Sequence, residues 1–153
     1  MPKISSGILF YRIKENELEV LLVHPGGPFW SGKDIGSWSI PKGEINLDED
    51  LLEAAKREVR EELGVEPEGR PIELHPLKQK SGKLVHCWAM RQNLNATKII
   101  SNLFELEWPP HSGKKQEFPE VDKAAWFQIP DAREKILPGQ APFLDELLTI
   151  VGT

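Results

Sequence analysis

The sequence predicts an α/β fold, a mixed β-sheet flanked by α-helices. Three observations lead there. Strand-patterned and helix-patterned segments alternate irregularly along the chain, which argues against a simple run of βαβ units. One well-bounded helical segment lies between residues 48 and 63, and it is followed by several short alternating apolar runs. Finally, 153 residues and 17.3 kDa suit one domain, spanning residues 1–153, able to bury roughly two-thirds of the surface that its unfolded chain exposes. An apolar share of 39% against 28% charged residues is the balance of a globular chain rather than a disordered one.

The elements follow in order. Residues 3–13 and 17–24 carry β-branched and aliphatic side chains on either side of the polar turn KENE, which predicts a hairpin. HPGGPFWSGKDIGS, residues 24–37, is a loop rich in Gly, Pro and Ser, and WSI leaves it as a short strand running into PKG. The helix of residues 48–63 has Asp48 or Asn46 as N-cap candidates and Gly64 as its stop. Residues 72–80 and 83–91 predict a second hairpin around Ser81-Gly82. A less regular stretch containing Pro109-Pro110 precedes KAAWFQI, a late strand, and short helices are expected near 131–136 and from Pro142 to about Ile150. No internal repeat or long linker interrupts this plan.

Composition narrows the function classes. The chain has no apolar run of membrane-spanning length, and its opening residues lack the apolar core of a secretion signal, so a cytoplasmic protein without membrane contact is expected. Its single cysteine, Cys87, sits in an expected strand and rules out a disulfide framework or a cysteine zinc site. A net charge of -5 predicts no extended nucleic-acid surface and leaves small anionic substrates open.

The helix of residues 48–63 raises a sharper question. Leu52, Ala55, Val59 and Leu63 fall on one arc and form its apolar stripe, with Lys56 and Arg60 toward water. Glu58, Glu61 and Glu62, spaced by three and four, share a neighbouring face and repel one another. A divalent cation would turn that repulsion into a site, and hard oxygen ligands favour magnesium or manganese. Acid-rich helices are usually solvated faces, so these three acids alone decide nothing.

The order of the whole segment decides more. Gly43, Glu49, Arg57, Glu58, Val59, Glu61, Glu62, Gly64 and Val65 stand at the spacings of the Nudix box, and residues 43–65 resemble that motif at all nine specified positions. The resemblance implies the Nudix fold and an enzyme, a pyrophosphohydrolase acting on a nucleoside diphosphate linked to another group. It implies Glu58, Glu61 and Glu62 as metal carboxylates, one of which also orients or deprotonates the attacking water. The backbone carbonyl of Lys42 would join the metal shell. Arg57 is expected to hold a carboxylate and fix the cluster, Glu49 to brace the loop, and Gly43 to permit a conformation that a bulkier residue would strain. Nudix enzymes often draw a further acid from a later loop, and QEFPEVDKAAWF offers Glu117 and Glu120, with Glu120 the expected catalytic residue.

The run SIPKGE is similar to the start of the box in diadenosine polyphosphate and diphosphoinositol polyphosphate hydrolases, and of the substrates this resemblance leaves open a dinucleoside polyphosphate or nucleoside triphosphate is expected. Lys42 and Gly43 would meet its phosphates. Lys80, with Lys78 and Lys83, would guide them, although a Lys-rich turn is often only soluble. Trp30, Trp38, Phe29 and Trp88 are candidate faces for a base, with Trp38 expected in the core. GPFWSGKD, residues 27–34, has P-loop spacing but carries Asp34 where Ser or Thr should hold magnesium, and no helix is expected after it. Two rival classes stay in view, a Nudix-fold module that binds nucleotide without cleaving it and an interaction domain with a charged helix. The motif leaves open the linked group, the bond cleaved, the identity of the base and the oligomeric state.

Overall fold

The computed structural model describes residues 3–152. In chain order the elements are β1 (Ile4–Lys14), β2 (Glu17–Pro25), β3 (Lys42–Glu44), α1 (Leu51–Leu63), β4 (Pro71–Glu73), β5 (Leu77–Lys78) and β6 (Leu84–Arg91). A 3-10 turn at Ala96–Lys98 leads to β7 (Leu103–Glu107), β8 (Lys115–Pro119), β9 (Val121–Gln128), α2 (Ile129–Lys135) and, after a second 3-10 turn, α3 (Ala141–Val151). The main sheet runs β4-β6-β1-β2-β9, with β3 also on β1 and β5 on β6. It is mixed as expected: β1 runs parallel to β6 and antiparallel to β2. Among the described residues no helix is long and apolar enough to cross a membrane.

The first hairpin turns at Glu15 and Asn16, both with positive φ, 52° and 66°. That pair matches the twist of the two strands. Alternation along β1 and β2 then splits the core in two. Ile8, Phe10, Leu21 and Val23 pack on Ala55, Val59 and Leu63 of α1, whereas Leu9, Tyr11, Val20 and Leu22 pack with Ala132, Phe143, Leu144 and Leu147 from α2 and α3. Helices therefore cover both faces of the sheet.

Several local expectations are corrected. The N-cap of α1 is Asp50, whose carboxylate accepts the Glu53 N–H at 3.1 Å, and not Asp48 or Asn46. Asp48 instead takes a left-handed turn conformation at φ 61°. The stop at Gly64 holds, at φ 67° with its N–H on the Arg60 carbonyl. In the second hairpin the first arm breaks into β4 and β5, because Pro76 lies between them and cannot donate to the ladder. WSI makes isolated bridges to Val23 and Ile136 rather than a strand. The stretch read as irregular contains the β7–β8 hairpin, a separate two-stranded sheet with Phe104 opposite Phe118.

Candidate functional site

The stripe of α1 anchors the helix on the sheet, and the next face along carries the acids. Glu58 and Glu62 are only 6% and 8% exposed, buried with the apolar residues rather than solvated. Glu120, at the corner between β8 and β9, joins them. Carboxylate oxygens of Glu58, Glu62 and Glu120 all lie within 4.8 Å of one another. Three hard oxygen donors converging from two elements fit a divalent cation such as magnesium or manganese, and do not fit a soft metal.

Electrostatics separate these acids from their neighbours. Burial, then the charges of Glu58 and Glu120, push the Glu62 carboxyl up to about 8, against a smaller opposing pull from Lys42. Burial raises Glu58 as well, although the Arg57 guanidinium beside it pulls back, and Glu120 is raised by burial and the charge of Glu61. Lys42, half-buried beside Glu62 and Glu58, has its ammonium pushed down by burial and then by Lys83. Its single charge does not balance the trio.

Arg57 serves the other flank of the helix. Its Nε and Nη2 donate to Glu49 at 2.8 and 3.0 Å, and its Nη1 donates to Glu58 at 2.8 Å and to Glu61 at 3.2 Å. Nη2 also reaches the Glu44 carbonyl at 3.1 Å. Glu49 in turn accepts the Asn46 N–H, closing the loop before the helix. The bidentate pairing holds the Glu49 carboxyl down at about 2. Glu61 sits with its side chain 40% exposed, outside the close trio, and its charge reaches Glu58 and Glu120.

Gly43 is needed for space and not for its backbone angle, which lies outside the left-handed region. A Cβ there would stand 2.1 Å from the Glu58 carboxylate. The glycine keeps a seat open for that acid.

A cleft of about 220 Å³ opens beside the trio, lined by Lys42, Glu62 and Glu120 at one end and by Trp30, Val23, Ile40 and Leu137 among its apolar walls. The loop that carries Trp30 is tied down twice. Buried His24 donates through Nε2 to the Lys33 carbonyl at 2.7 Å with Nδ1 2.9 Å from Asp122, and Asp34 accepts from Trp38 Nε1 at 2.8 Å and from Lys135. Of the other aromatic candidates, Trp38 and Trp88 are buried at 5% and 7%, and exposed Phe29 packs edge-on against Trp108.

The remaining candidates scatter. Glu117 is exposed on β8, opposite Glu105, away from the trio's corner. Lys80 is exposed in the turn before β6, whereas half-buried Lys83 is the cation whose charge reaches Lys42. Residues 27–34 form turns with no helix after them, so the P-loop spacing has no helix N-terminus to present to phosphate. Cys87 is buried, with its thiol pushed up by burial. Sequence reasoning missed Ser101 and Asn102, which contact the backbone of Val121 and Glu120, and a polar pair in an irregular stretch carries no signal that could have singled them out.

Residues 1–147 match the family model of the NUDIX domain. The fold is similar to that of a Caenorhabditis elegans Ap4A hydrolase in a binary complex, at 22% identity and a TM-score of 0.68, over 96% of this chain and 97% of that one. It is also similar to the NUDIX domain of Shewanella oneidensis NrtR complexed with ADP ribose, at 17% identity and a TM-score of 0.68, over 100% of this chain and 90% of that one. The Escherichia coli ORF135 protein has a TM-score of 0.58 at 20% identity, over 99% and 93% of the two chains. No curated protein matches the sequence.

Proposed function

The chain belongs to the Nudix family of pyrophosphohydrolases, and from that premise we propose that it is a magnesium- or manganese-dependent hydrolase of dinucleoside polyphosphates of the diadenosine tetraphosphate kind, with nucleoside triphosphates as second choice. The observation that carries the reading is the Glu58, Glu62 and Glu120 trio, two of whose acids line a cleft together with Lys42. Arg57 at Glu58, an arginine shared with Glu49 and Glu61, and the half-buried Lys42 only partly offset its charge where a cation and a phosphate chain would meet.

The roles follow from position. Glu58, Glu62 and Glu120 would hold the ion, with the Lys42 carbonyl as a further donor by the family pattern. When bound, the ion offsets charge on the phosphoryl oxygens and makes a water at the site more acidic. Glu61, half-exposed next to the trio, completes the shell or accepts a proton from the attacking water at its carboxylate. Arg57 keeps Glu58 and Glu61 in place through its fork of hydrogen bonds. The Lys42 ammonium meets a phosphate, Lys83 extends that cationic path, and the Trp30 ring offers a face to a base.

The similarity of SIPKGE to the box start shared by diadenosine polyphosphate and diphosphoinositol polyphosphate hydrolases, together with the fold shared with an Ap4A hydrolase, supports the substrate class. A magnesium-dependent screen across dinucleoside polyphosphates, nucleoside triphosphates, ADP-ribose, nucleotide sugars and capped RNA, with products resolved by chromatography, tests it. Fastest release of mononucleotide from the dinucleoside compounds is expected. Nucleotide binding without any product under these conditions would leave only a binding module.

A further inference from the structure

Three segments distant in sequence meet at the C-terminal end of α1. They are the last turn of the helix, residues 100–102, and the corner Glu120–Val121. The Ile100 N–H donates to the Leu63 carbonyl at 2.9 Å, and the Asn102 N–H donates to the Glu61 carbonyl at 2.8 Å. Carbonyls in a last helical turn have no partner within the helix, so residues 100–102 complete α1. Gly64 makes this approach possible, since a Cβ there would lie 2.9 Å from the Ile100 carbonyl oxygen.

Two of these residues then grip the corner. The Asn102 carbonyl accepts the Glu120 N–H at 3.0 Å, and Ser101 Oγ accepts the Val121 N–H at 3.0 Å. From the opposite side the Gly26 N–H donates to the Glu120 carbonyl at 2.9 Å, at a position where a Cβ would stand 2.0 Å from the Pro119 carbonyl oxygen. The Asn102 side-chain amide also lies against the Glu120 carboxylate and favours its charged form. Both main-chain polar groups of Glu120 are therefore held, one of them by a residue that is itself bonded to the helix of Glu58 and Glu62.

We infer that Ser101 and Asn102 are positioning residues of the candidate metal centre: they staple the Glu120 corner to the end of α1 and so fix the third carboxylate beside the other two. Three carboxylates crowded together repel, and a loop-borne acid without such a tie relaxes away from two acids fixed on a helix. Turns elsewhere in the chain have Ser and Asn contacts of their own, but this pair links two elements that each carry an acid of the trio. The inference rests on the reading of the trio as a cation site.

Manganese affinity of the full chain without nucleotide, measured by electron paramagnetic resonance of the free ion, tests it alongside melting temperature. Asn102→Ala keeps both main-chain bonds of residue 102 and removes only its side-chain amide from the Glu120 carboxylate, and it is expected to weaken binding roughly tenfold, the size of losing a partner that orients a ligand. Ser101→Ala removes the side-chain bond to the Val121 N–H and leaves the Asn102 amide in place, is expected to weaken binding in the same direction by less, and serves if the first variant fails to fold. The deciding step is a double-mutant cycle. In a Glu120→Gln background, Asn102→Ala is expected to cost no further affinity, because the carboxylate it positions is already gone. Unchanged affinity in both folded variants, or the same loss with and without Glu120, overturns the staple while leaving the metal reading intact. A wild-type chain that takes up no manganese overturns that reading and the inference together.

Discussion

Two flanks of one helix carry acids, and the protein treats them in opposite ways. On the first, Arg57 faces Glu49 and Glu61, reaches across to Glu58, and holds Glu49 well below the ordinary carboxylate range. On the second, Glu62 is buried beside Glu58 and Glu120 and is pushed up to about 8, with only a half-buried lysine near it. Supplied counter-charge marks bracing. At buried Glu62 an arginine partner is withheld, the fold leaves room for a charge from outside, and the cleft lies on that side. The contrast makes removal of an acid mean different things on the two flanks.

The largest expected effect is Glu62→Gln. Turnover should fall by about a hundredfold or more, since a metal ligand or positioned acid contributes on that order, while the fold survives. Arg57→Ala should lower turnover less, about tenfold, because it displaces Glu58 and Glu61 without removing them. It should also cost about 1–2 kcal/mol of stability, a figure reduced for the partial exposure of the network. Steady-state kinetics and denaturant unfolding check both. If Arg57→Ala were the more damaging to turnover and the less damaging to stability, the division of labour would be reversed.

The pH dependence of melting sharpens the same contrast. In chelator-treated protein the folded state keeps the Glu62 proton that the unfolded chain gives up near pH 4.5, so its contribution declines as pH rises from about 4.5 to about 8. Glu62→Gln should therefore gain stability over the wild type across that window. Glu49 has the opposite sign. Its contribution is fully present above about pH 4.5 and is lost as pH falls toward about 2, so Glu49→Gln should be destabilised at neutral pH and converge on the wild type in acid. Parallel melting curves for the two variants would remove the distinction. The smallest effects are on the outer lysines, where Lys83→Ala should raise KM by a few-fold and exposed Lys80→Ala by less than about twofold.

The same contrast explains what the sequence made legible. The first hairpin, α1 and its stop at Gly64 follow from periodicity and turn chemistry, which are local. The box gave the acids on α1, because helical spacing by three and four fixes a face before any tertiary contact exists. Glu120 was reachable only through the resemblance, since its closeness to Glu62 depends on a corner between two strands. Ser101 and Asn102 act largely through main-chain bonds across the chain, and no residue pattern encodes those. Gly43 was singled out for backbone freedom, yet its need comes from the Glu58 carboxylate packed against it. The β7–β8 hairpin escaped because its strands are mostly exposed and charged, as a sheet outside the main core can be.

The most direct test of the unbalanced flank is a manganese titration of the chelator-treated chain at pH 7.5, wild type against Glu62→Gln and Glu49→Gln, with free ion followed by electron paramagnetic resonance. Saturable uptake by the wild type, a loss of tenfold or more in Glu62→Gln and near-normal uptake in Glu49→Gln are expected. Equal affinity in the wild type and Glu62→Gln would contradict the account.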